Sequence, residues 1–186
     1  MRETNEKASL RKILLEKRDS TSYDLMKIAS AQIHSNLKKV SAFQNAKVIG
    51  CYYPIGSEVL TQEIISESLK NGKTVALPKV VDKELVFKRI KDFSNLERGR
   101  FDIMEPKDDC ENVKKLDLIL VPTIGITRSG VRLGYGYGFY DRYLVKSTAT
   151  TIALTFAKQI VKSIPFAETD VRIDWVVTED EFFRTS

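Results

Sequence analysis

The spacing of hydrophobic residues along the 186-residue chain predicts a series of helices and strands. Residues 4–19 contain strong helix formers and neither Gly nor Pro, which predicts a first helix. Residues 22–38 predict a second helix, because apolar side chains recur there at helical spacing and form one stripe. The members of this stripe are Leu25, Ile28, Ala29, Ile33 and Leu37.

Short apolar runs rich in β-branched residues predict strands. These runs cover residues 48–53, 74–78, 84–90, 116–121, 151–156 and 173–177, the last of which is expected to be the final strand. Two more helices are expected, one capped by Thr61 and ending near residue 70, and one over 138–147, whereas 91–115 is expected to be irregular. This order predicts a single-domain three-layer α/β sandwich over residues 1–186, with a mostly parallel sheet and helices on both faces.

Composition excludes several classes of protein. The net charge of +5 favours anionic ligands, but no clustered basic face or stacking module indicates a nucleic-acid partner. Cys51 and Cys110 are the only cysteines, too few for a disulfide framework, and Cys51 is expected to be a buried, inert thiol. The first 20 residues lack the apolar centre of a signal peptide, and no apolar run approaches a bilayer span, so we expect a cytoplasmic protein without a membrane partner.

The run RLGYGYGFYD, from Arg132 to Asp141, carries the clearest chemical signal. Gly134, Gly136 and Gly138 lack Cβ atoms, so successive backbone N–H groups can converge on an anion, and the following helix adds further N–H groups. Arg132 supplies a planar cation suited to phosphate, and Asp141 is placed to bind Mg²⁺. The alternative is a glycine-rich turn with a helix-stabilising acid. We favour a phosphate-binding loop in an enzyme that uses ATP.

Residues 130–144, GVRLGYGYGFYDRYL, closely resemble the signature of the 5-formyltetrahydrofolate cyclo-ligase family, whose members are also called 5,10-methenyltetrahydrofolate synthetases. Shorter matches follow the family order at 7–11, Glu58, 77–78, 105–106, 117–122, Phe156 with Gln159, and 170–174. The resemblance implies that ATP phosphorylates the formyl oxygen of 5-formyltetrahydrofolate. N10 then attacks the activated carbon, and phosphate leaves to give 5,10-methenyltetrahydrofolate. Such chemistry requires positioning and charge neutralisation rather than a nucleophile, so His34, the only histidine, is expected to be non-catalytic.

The resemblance also implies residue roles. The residues expected to bind ATP are Lys7, Arg11, Arg132, Leu133, Gly134, Tyr135, Gly136, Tyr137, Gly138, Phe139 and Tyr140. Those expected to bind 5-formyltetrahydrofolate, with or without a polyglutamate tail, are Tyr53, Glu58, Tyr135, Gly136, Tyr137, Gly138 and Phe139. Arg132 is the expected catalytic residue, and Asp141 and Asp170 are the expected ligands of an Mg²⁺ cofactor.

Lys7 and Arg11 lie four residues apart, so on a helix they project from one face and can hold the same polyphosphate. The alternative is a solvated basic face, of which Lys12, Lys17 and Arg18 are further examples.

Glu58 can accept hydrogen bonds from the N–H groups of the pterin, the bicyclic ring of folate. Tyr53 is expected either to pack on folate or to belong to the core.

The chain departs from the family pattern at three places. Tyr137 replaces a residue that is often basic, Ile126-Thr127 replaces an aromatic and an acid, and Thr169 stands where a His usually precedes the matched aspartate. These changes concern folate contacts rather than nucleotide binding. Two other functions stay open, a sugar-phosphate isomerase or acyl-transfer enzyme and a basic nucleic-acid-binding protein. We expect a monomer.

Overall fold

The computed structural model describes residues 5–99 and 103–186. Residue 4, the first of the predicted amino-terminal helix, lies outside these ranges, as do residues 100–102 of the segment expected to be irregular. The α-helices of the described ranges are α1 (Asn5–Asp19), α2 (Tyr23–Leu37), α3 (Ser41–Asn45), α4 (Gln62–Lys70) and α5 (Phe139–Leu144). None of these helices is long and apolar enough to cross a membrane. The single domain expected over residues 1–186 stays a prediction.

A seven-stranded sheet forms the centre of the structure. Its strands, from one edge to the other, are β12 (Phe182–Arg184), β11 (Trp175–Val177), β9 (Thr150–Leu154), β6 (Leu118–Pro122), β1 (Val48–Gly50), β2 (Thr74–Val81) and β3 (Glu84–Ile90). The five central strands are parallel, and only the two edge strands pair antiparallel to their neighbours. The predicted α/β class with a mostly parallel sheet is therefore confirmed.

Smaller sheets complete the described structure. One contains β10 (Ile160–Val161), β7 (Gly125–Thr127) and β8 (Arg132–Leu133) in that order, and the other pairs β4 (Leu96–Arg98) with β5 (Met104–Pro106). The β7–β8 hairpin matters most for function, because β8 leads directly into the glycine run.

Both faces of the central sheet are covered, as β6 shows. Leu118 and Leu120 point into a core formed with α2, α3 and α4, whereas Ile119 and Val121 point into a second core that includes Leu144 of α5. Side chains of a strand alternate between faces, so a strand covered on both sides reads as a continuous apolar run. This is the pattern of residues 118–121 in the sequence.

The apolar stripe predicted on α2 is partly wrong. Leu25 and Ile28 are 59% and 66% exposed, whereas Met26, Ile33 and Leu37 are buried against the sheet. The helix is therefore rotated relative to the predicted stripe, with Met26 rather than its neighbour turned inward. Single exposed hydrophobic side chains are common on protein surfaces, so helical spacing alone did not fix which residues face the core.

Several element boundaries also differ from prediction. The strand expected over 173–177 begins at Trp175 and is not the last, because β12 follows it and closes the sheet edge. The strand expected over 48–53 ends at Gly50, and the helix expected over 138–147 covers only Phe139–Leu144. The unpredicted elements α3, β4, β5, β7, β8, β10 and β12 contain two to five residues each. Runs this short are too brief for hydrophobic periodicity to identify.

Two aspartates in the segments that resemble the family stabilise the central sheet. The Asp117 carboxylate accepts hydrogen bonds from the backbone N–H groups of Lys47 and Val48, each at 2.9 Å, and these bonds lower its pKa. Asp174 accepts from the backbone N–H and the hydroxyl of Thr151 at 2.8 and 2.9 Å. Both aspartates fasten one strand to its neighbour, so these matches report on the fold rather than on catalysis.

Candidate functional site

The polar residues singled out in the sequence gather at one place along the central sheet. From β1 the chain proceeds outward through β2 to β3, and from β6 it proceeds in the other direction through β9 to β11. The gap between the carboxyl ends of β1 and β6 is therefore the switch point of the sheet, where open α/β proteins bind ligands. Glu58 follows β1, and the β7–β8 hairpin that carries Arg132 follows β6.

Helix α1 lies over this edge and directs a stripe of side chains toward it. The spacing of Lys7, Arg11, Leu14 and Arg18 is that of one helical face. The Lys7 Nζ donates to Asp170 Oδ2 at 2.6 Å, and the Arg11 Nε donates to the Gly134 carbonyl at 2.7 Å. Leu14 is buried against the region of β7, where a Cβ at Gly125 would lie 2.4 Å from its Cδ1. Thus Arg11 contacts the glycine run directly, whereas Lys7 contacts Asp170.

The three glycines of the run contribute in two different ways. A Cβ at Gly134 would lie 2.6 Å from Nη1 of Arg132, so glycine is needed there for the guanidinium to lie against the backbone. Gly136 and Gly138 have φ angles of 97° and 67°, which side chains other than glycine rarely adopt. Gly138 then caps the six-residue α5. The backbone conformation of the loop therefore depends on glycine at Gly136 and Gly138, whereas Gly134 leaves room for the Arg132 side chain.

Arg132 is a buried cation with an incomplete set of partners. Its Nη2 donates to Asp141 Oδ2 at 3.0 Å, its Nη1 donates to the Pro122 carbonyl at 3.3 Å, and its guanidinium lies 5.6 Å from the centre of the Tyr140 ring. Within the described part of the chain, neither the buried Nε of Arg132 nor the buried hydroxyl of Tyr140 has a hydrogen-bond partner. A buried donor without a partner is costly, so both atoms are candidates to bind a ligand.

Glu58 is a buried carboxylate with one free oxygen. Its Oε2 accepts from the backbone N–H of Ile55 at 2.8 Å, whereas no partner among the described residues reaches its buried Oε1. Burial raises the pKa of Glu58, and the Ile55 N–H, the charge of Arg18 and the Tyr135 hydroxyl act in the opposite direction. Burial also raises the pKa of Tyr135 to about 12, so its hydroxyl is protonated at neutral pH. Glu58 Oε1 is an acceptor available to N–H groups of a ligand.

The remaining aromatic residues of the predicted site differ in their surroundings. Tyr53 is half-buried and packs at the edge of the core, with its ring edge-on to Phe93 at 6.3 Å, and its contact with folate stays a prediction. Tyr137 is 65% exposed and stacks on Phe139 at 5.9 Å. The Arg142 guanidinium lies 5.2 Å from the Phe139 ring and donates to the Tyr137 carbonyl at 3.0 Å. This cation therefore lies beside the position where the family often has a basic residue.

Asp141 and Asp170 lie on adjoining segments. Asp141 Oδ1 accepts from the backbone N–H of Val171 at 3.4 Å, and Asp170 Oδ2 accepts from the Ala167 N–H at 2.8 Å as well as from Lys7. The described ranges contain no group of three or more His, Cys, Asp or Glu side chains that could enclose a metal ion. Two carboxylates nevertheless fit Mg²⁺, which usually takes one or two protein carboxylates and completes its shell with phosphate oxygens and water.

One residue of the site was misread from the sequence. Arg18 was interpreted as a solvated charge like Lys12 and Lys17, but it is 3% exposed and donates to Ser57 Oγ at 2.8 Å and to the Tyr135 hydroxyl at 2.9 Å. Its position seven residues after Arg11, two helical turns further along the same face, was the available signal. Lys12 and Lys17 point away from this face and are exposed.

His34 lies away from the glycine run, in a groove of about 590 Å³ between α2 and α4. Its Nε2 is 3.1 Å from a carboxylate oxygen of Glu67, and burial lowers its pKa. Cys51 is buried as predicted, and burial raises its pKa to about 12, which makes the thiolate inaccessible at neutral pH.

The fold and the site define an α/β protein whose cations, glycine-rich loop and buried carboxylate meet at the switch point of a mostly parallel sheet. The model of the 5-formyltetrahydrofolate cyclo-ligase family matches residues 3–179, and the chain belongs to this family of ligases. The chain is 31% identical over 156 residues to a probable 5-formyltetrahydrofolate cyclo-ligase of Caenorhabditis elegans, and the alignment covers 75% of this chain and 76% of that protein.

Solved structures agree with this assignment. The NMR structure of 5,10-methenyltetrahydrofolate synthetase from Aquifex aeolicus is similar with a TM-score of 0.87 and 34% identity, over 96% of this chain and 92% of that one. A 5,10-methenyltetrahydrofolate synthetase from Mycoplasma pneumoniae is similar with a TM-score of 0.76 and 25% identity, over 93% of this chain and 98% of that one. The family resemblance inferred from the sequence and the α/β fold are thereby confirmed.

Proposed function

We propose that this enzyme converts 5-formyltetrahydrofolate to 5,10-methenyltetrahydrofolate in a reaction that consumes ATP and requires Mg²⁺. One observation carries the proposal. Four buried polar atoms lack hydrogen-bond partners in the described residues. Three of them, Arg132 Nε, the Tyr140 hydroxyl and Glu58 Oε1, lie at the switch point under a helix that carries two further cations. They offer two donors and one acceptor, as a ligand with both phosphate oxygens and N–H groups requires.

In the proposed nucleotide half of the site, Lys7, Arg11 and Arg132 surround the polyphosphate. Arg132 is held by Asp141, so its guanidinium is already oriented before the nucleotide arrives. Phosphoryl transfer develops charge on the transferred oxygens, and fixed cations in a water-poor site stabilise that charge. Mg²⁺ bound by Asp141 and Asp170 would neutralise phosphate charge in addition.

In the proposed folate half, Glu58 Oε1 accepts hydrogen bonds from the ring N–H and amino groups of the pterin. The formyl oxygen attacks the γ-phosphorus, and the bond to the ADP oxygen breaks. N10 then attacks the formyl carbon and loses its proton, the carbon–oxygen bond breaks, and phosphate departs with that oxygen. The residues at the switch point hold the two substrates in line rather than supplying a nucleophile.

The test is an absorbance assay on the purified protein with ATP, Mg²⁺ and 5-formyltetrahydrofolate. We expect the near-ultraviolet absorbance of the methenyl bridge to appear, and we expect no signal without ATP or with a chelator of Mg²⁺. A folded protein that produces no methenyl product under these conditions contradicts the proposal. Formation of the methenyl product at the same rate without ATP would contradict the proposed ATP requirement.

A further inference from the structure

Arg18 is a buried cation whose three hydrogen bonds reach three separate segments of the chain, and its Nε also lies 4.0 Å from Oδ1 of Asp19. Its Nε donates to Ser57 Oγ in the loop after β1, its Nη2 donates to the Tyr135 hydroxyl in the glycine run, and its Nη1 lies 3.5 Å from the Thr123 carbonyl after β6. Burying a guanidinium costs several kcal/mol unless its partners compensate. A residue that served only solubility would not occupy such a position.

Two of these contacts concern the immediate neighbours of Glu58. Ser57 precedes Glu58 in the chain, and its hydroxyl donates in turn to Asp19, so Arg18 and Asp19 hold Ser57 between them. The Tyr135 hydroxyl faces the Glu58 carboxylate, and the Arg18 guanidinium lies 5.9 Å from the centre of the Tyr135 ring. Arg18 therefore holds the residue that precedes Glu58 and the hydroxyl that faces its carboxylate, without contacting the free oxygen of Glu58.

The charge of Arg18 has a second effect on Glu58. Burial raises the pKa of this carboxyl group, and Arg18 is one of the groups that lower it again. The other groups that face Glu58 are the Ile55 N–H and the hydroxyls of Tyr52, Tyr135 and Tyr140. Arg18 is the cation among these neighbours, so it favours the ionised form that can accept hydrogen bonds.

We propose that Arg18 is a positioning residue for the folate half of the site, where it fixes Ser57 and Tyr135 so that Glu58 presents its free oxygen to the pterin ring. This inference rests on the proposed function. It assigns α1 two separate tasks, because Arg18 lies two turns, about 10 Å along the helix axis, beyond Arg11. Lys7 and Arg11 serve the nucleotide, whereas Arg18 serves folate.

The experiment compares the kinetics of Arg18→Met, Arg18→Lys and the control Lys17→Met, which changes the adjacent exposed cation. We expect Arg18→Met to raise the KM for 5-formyltetrahydrofolate at least tenfold and to leave the KM for ATP within about twofold. Arg18→Lys keeps the charge but loses the planar fork that reaches two hydroxyls, so we expect an intermediate KM for folate. Lys17→Met should behave like the wild type.

The pH dependence separates positioning from a general loss of structure. Without the charge of Arg18 the pKa of Glu58 rises further, so folate binding by Arg18→Met should weaken at a higher pH than in the wild type. Thermal melting checks that each variant is folded. If Arg18→Met does not fold, the KM for folate of Arg18→Lys tests the positioning role. A parallel rise in the KM values for ATP and for folate, or an unchanged KM for folate in folded variants, overturns the positioning role of Arg18 and leaves the proposed function standing. A wild-type protein without ATP-dependent turnover refutes the proposed function and this inference together.

Discussion

The Nζ of Lys7 donates a hydrogen bond to Oδ2 of Asp170 at 2.6 Å, across 163 residues of sequence. The contact ties the start of α1 to the segment that packs against Asp141, so the amino-terminal helix and the proposed metal-binding segment form one side of the site. Both side chains are 16% exposed. Partial burial makes such a pair stronger and less sensitive to salt than a surface ion pair.

The first prediction concerns Lys7. Lys7→Gln removes a cation from the proposed polyphosphate contact, and a hydrogen bond to a charged group contributes about 1.5–3 kcal/mol. We expect the KM for ATP to rise roughly ten- to a hundredfold, with little change in the KM for folate. Steady-state kinetics with each substrate varied measures this effect. Lys12→Gln on the exposed side of α1 is the control, and an equal rise in that variant would contradict the prediction.

The second prediction concerns Arg132. Removing a fixed donor that stabilises transition-state charge typically lowers kcat about 10²- to 10³-fold. We expect Arg132→Ala to lose activity by at least this factor while the protein stays folded, as circular dichroism and thermal melting can show. Arg128→Ala is the matched control, because Arg128 is exposed and its contacts, an ion pair with Glu181 and a cation–π contact with Phe183, involve no residue of the predicted site. Exposed ion pairs of this kind contribute little to stability. Near-normal turnover by Arg132→Ala would refute the catalytic role.

The third prediction concerns the pH dependence of Glu58. Burial raises its pKa, and protonation turns one of its two acceptor oxygens into an O–H donor that opposes the N–H groups of the pterin. The KM for 5-formyltetrahydrofolate should therefore increase as the pH falls through the raised pKa of Glu58, and this pH dependence should disappear in Glu58→Gln. A pH profile that is identical in the two proteins would exclude Glu58 as the titrating group.

The fourth prediction concerns the stability of Glu58→Gln. Burial raises the pKa of Glu58 in the folded state above its value in the unfolded state. The carboxyl group therefore contributes most to the free energy of unfolding at a pH below the pKa of the unfolded state, where it is protonated. This contribution is lost as the pH rises through the pKa of the folded state. At neutral pH, Gln removes a buried charge and keeps an acceptor for the Ile55 N–H. We expect the variant to melt at a higher temperature than the wild type at neutral pH, and the difference to shrink in acid. A lower melting temperature at neutral pH would contradict this.

The fifth prediction tests the turn that precedes the glycine run. Gly130 has a φ of 82°, and a Cβ there would lie 2.4 Å from the Ile173 carbonyl oxygen. Gly72, which follows α4, has a φ of 76° but nothing within 4 Å of a Cβ. Gly72→Ala should cost about 1–2 kcal/mol for the backbone conformation alone. Gly130→Ala should cost more, because the backbone must also move; equal losses in urea unfolding would show that the contact with Ile173 is easily relieved.

The sequence determined much of the fold, because its longer elements have a clear hydrophobic period. The bounds of α2, α4 and β3 were predicted to within one or two residues. The same holds for the part of α1 that the structure describes. The glycine run was predicted as a loop that opens a helix, and its φ angles at Gly136 and Gly138 explain why glycine occurs there. These features depend on interactions between residues close in sequence, so local patterns were sufficient.

Only the tertiary structure decided which charges and apolar residues of the helices belong inside. Arg18 and Lys17 are adjacent and equally basic in the sequence, yet only Arg18 is buried, because Ser57, Thr123 and Tyr135 arrive from three distant segments to receive its N–H groups. In the same way, Leu25 is exposed and Met26 is buried by the placement of α2 on the sheet. Burial of a charged group is stable only when partners compensate for its lost hydration, and no local pattern records where those partners will lie.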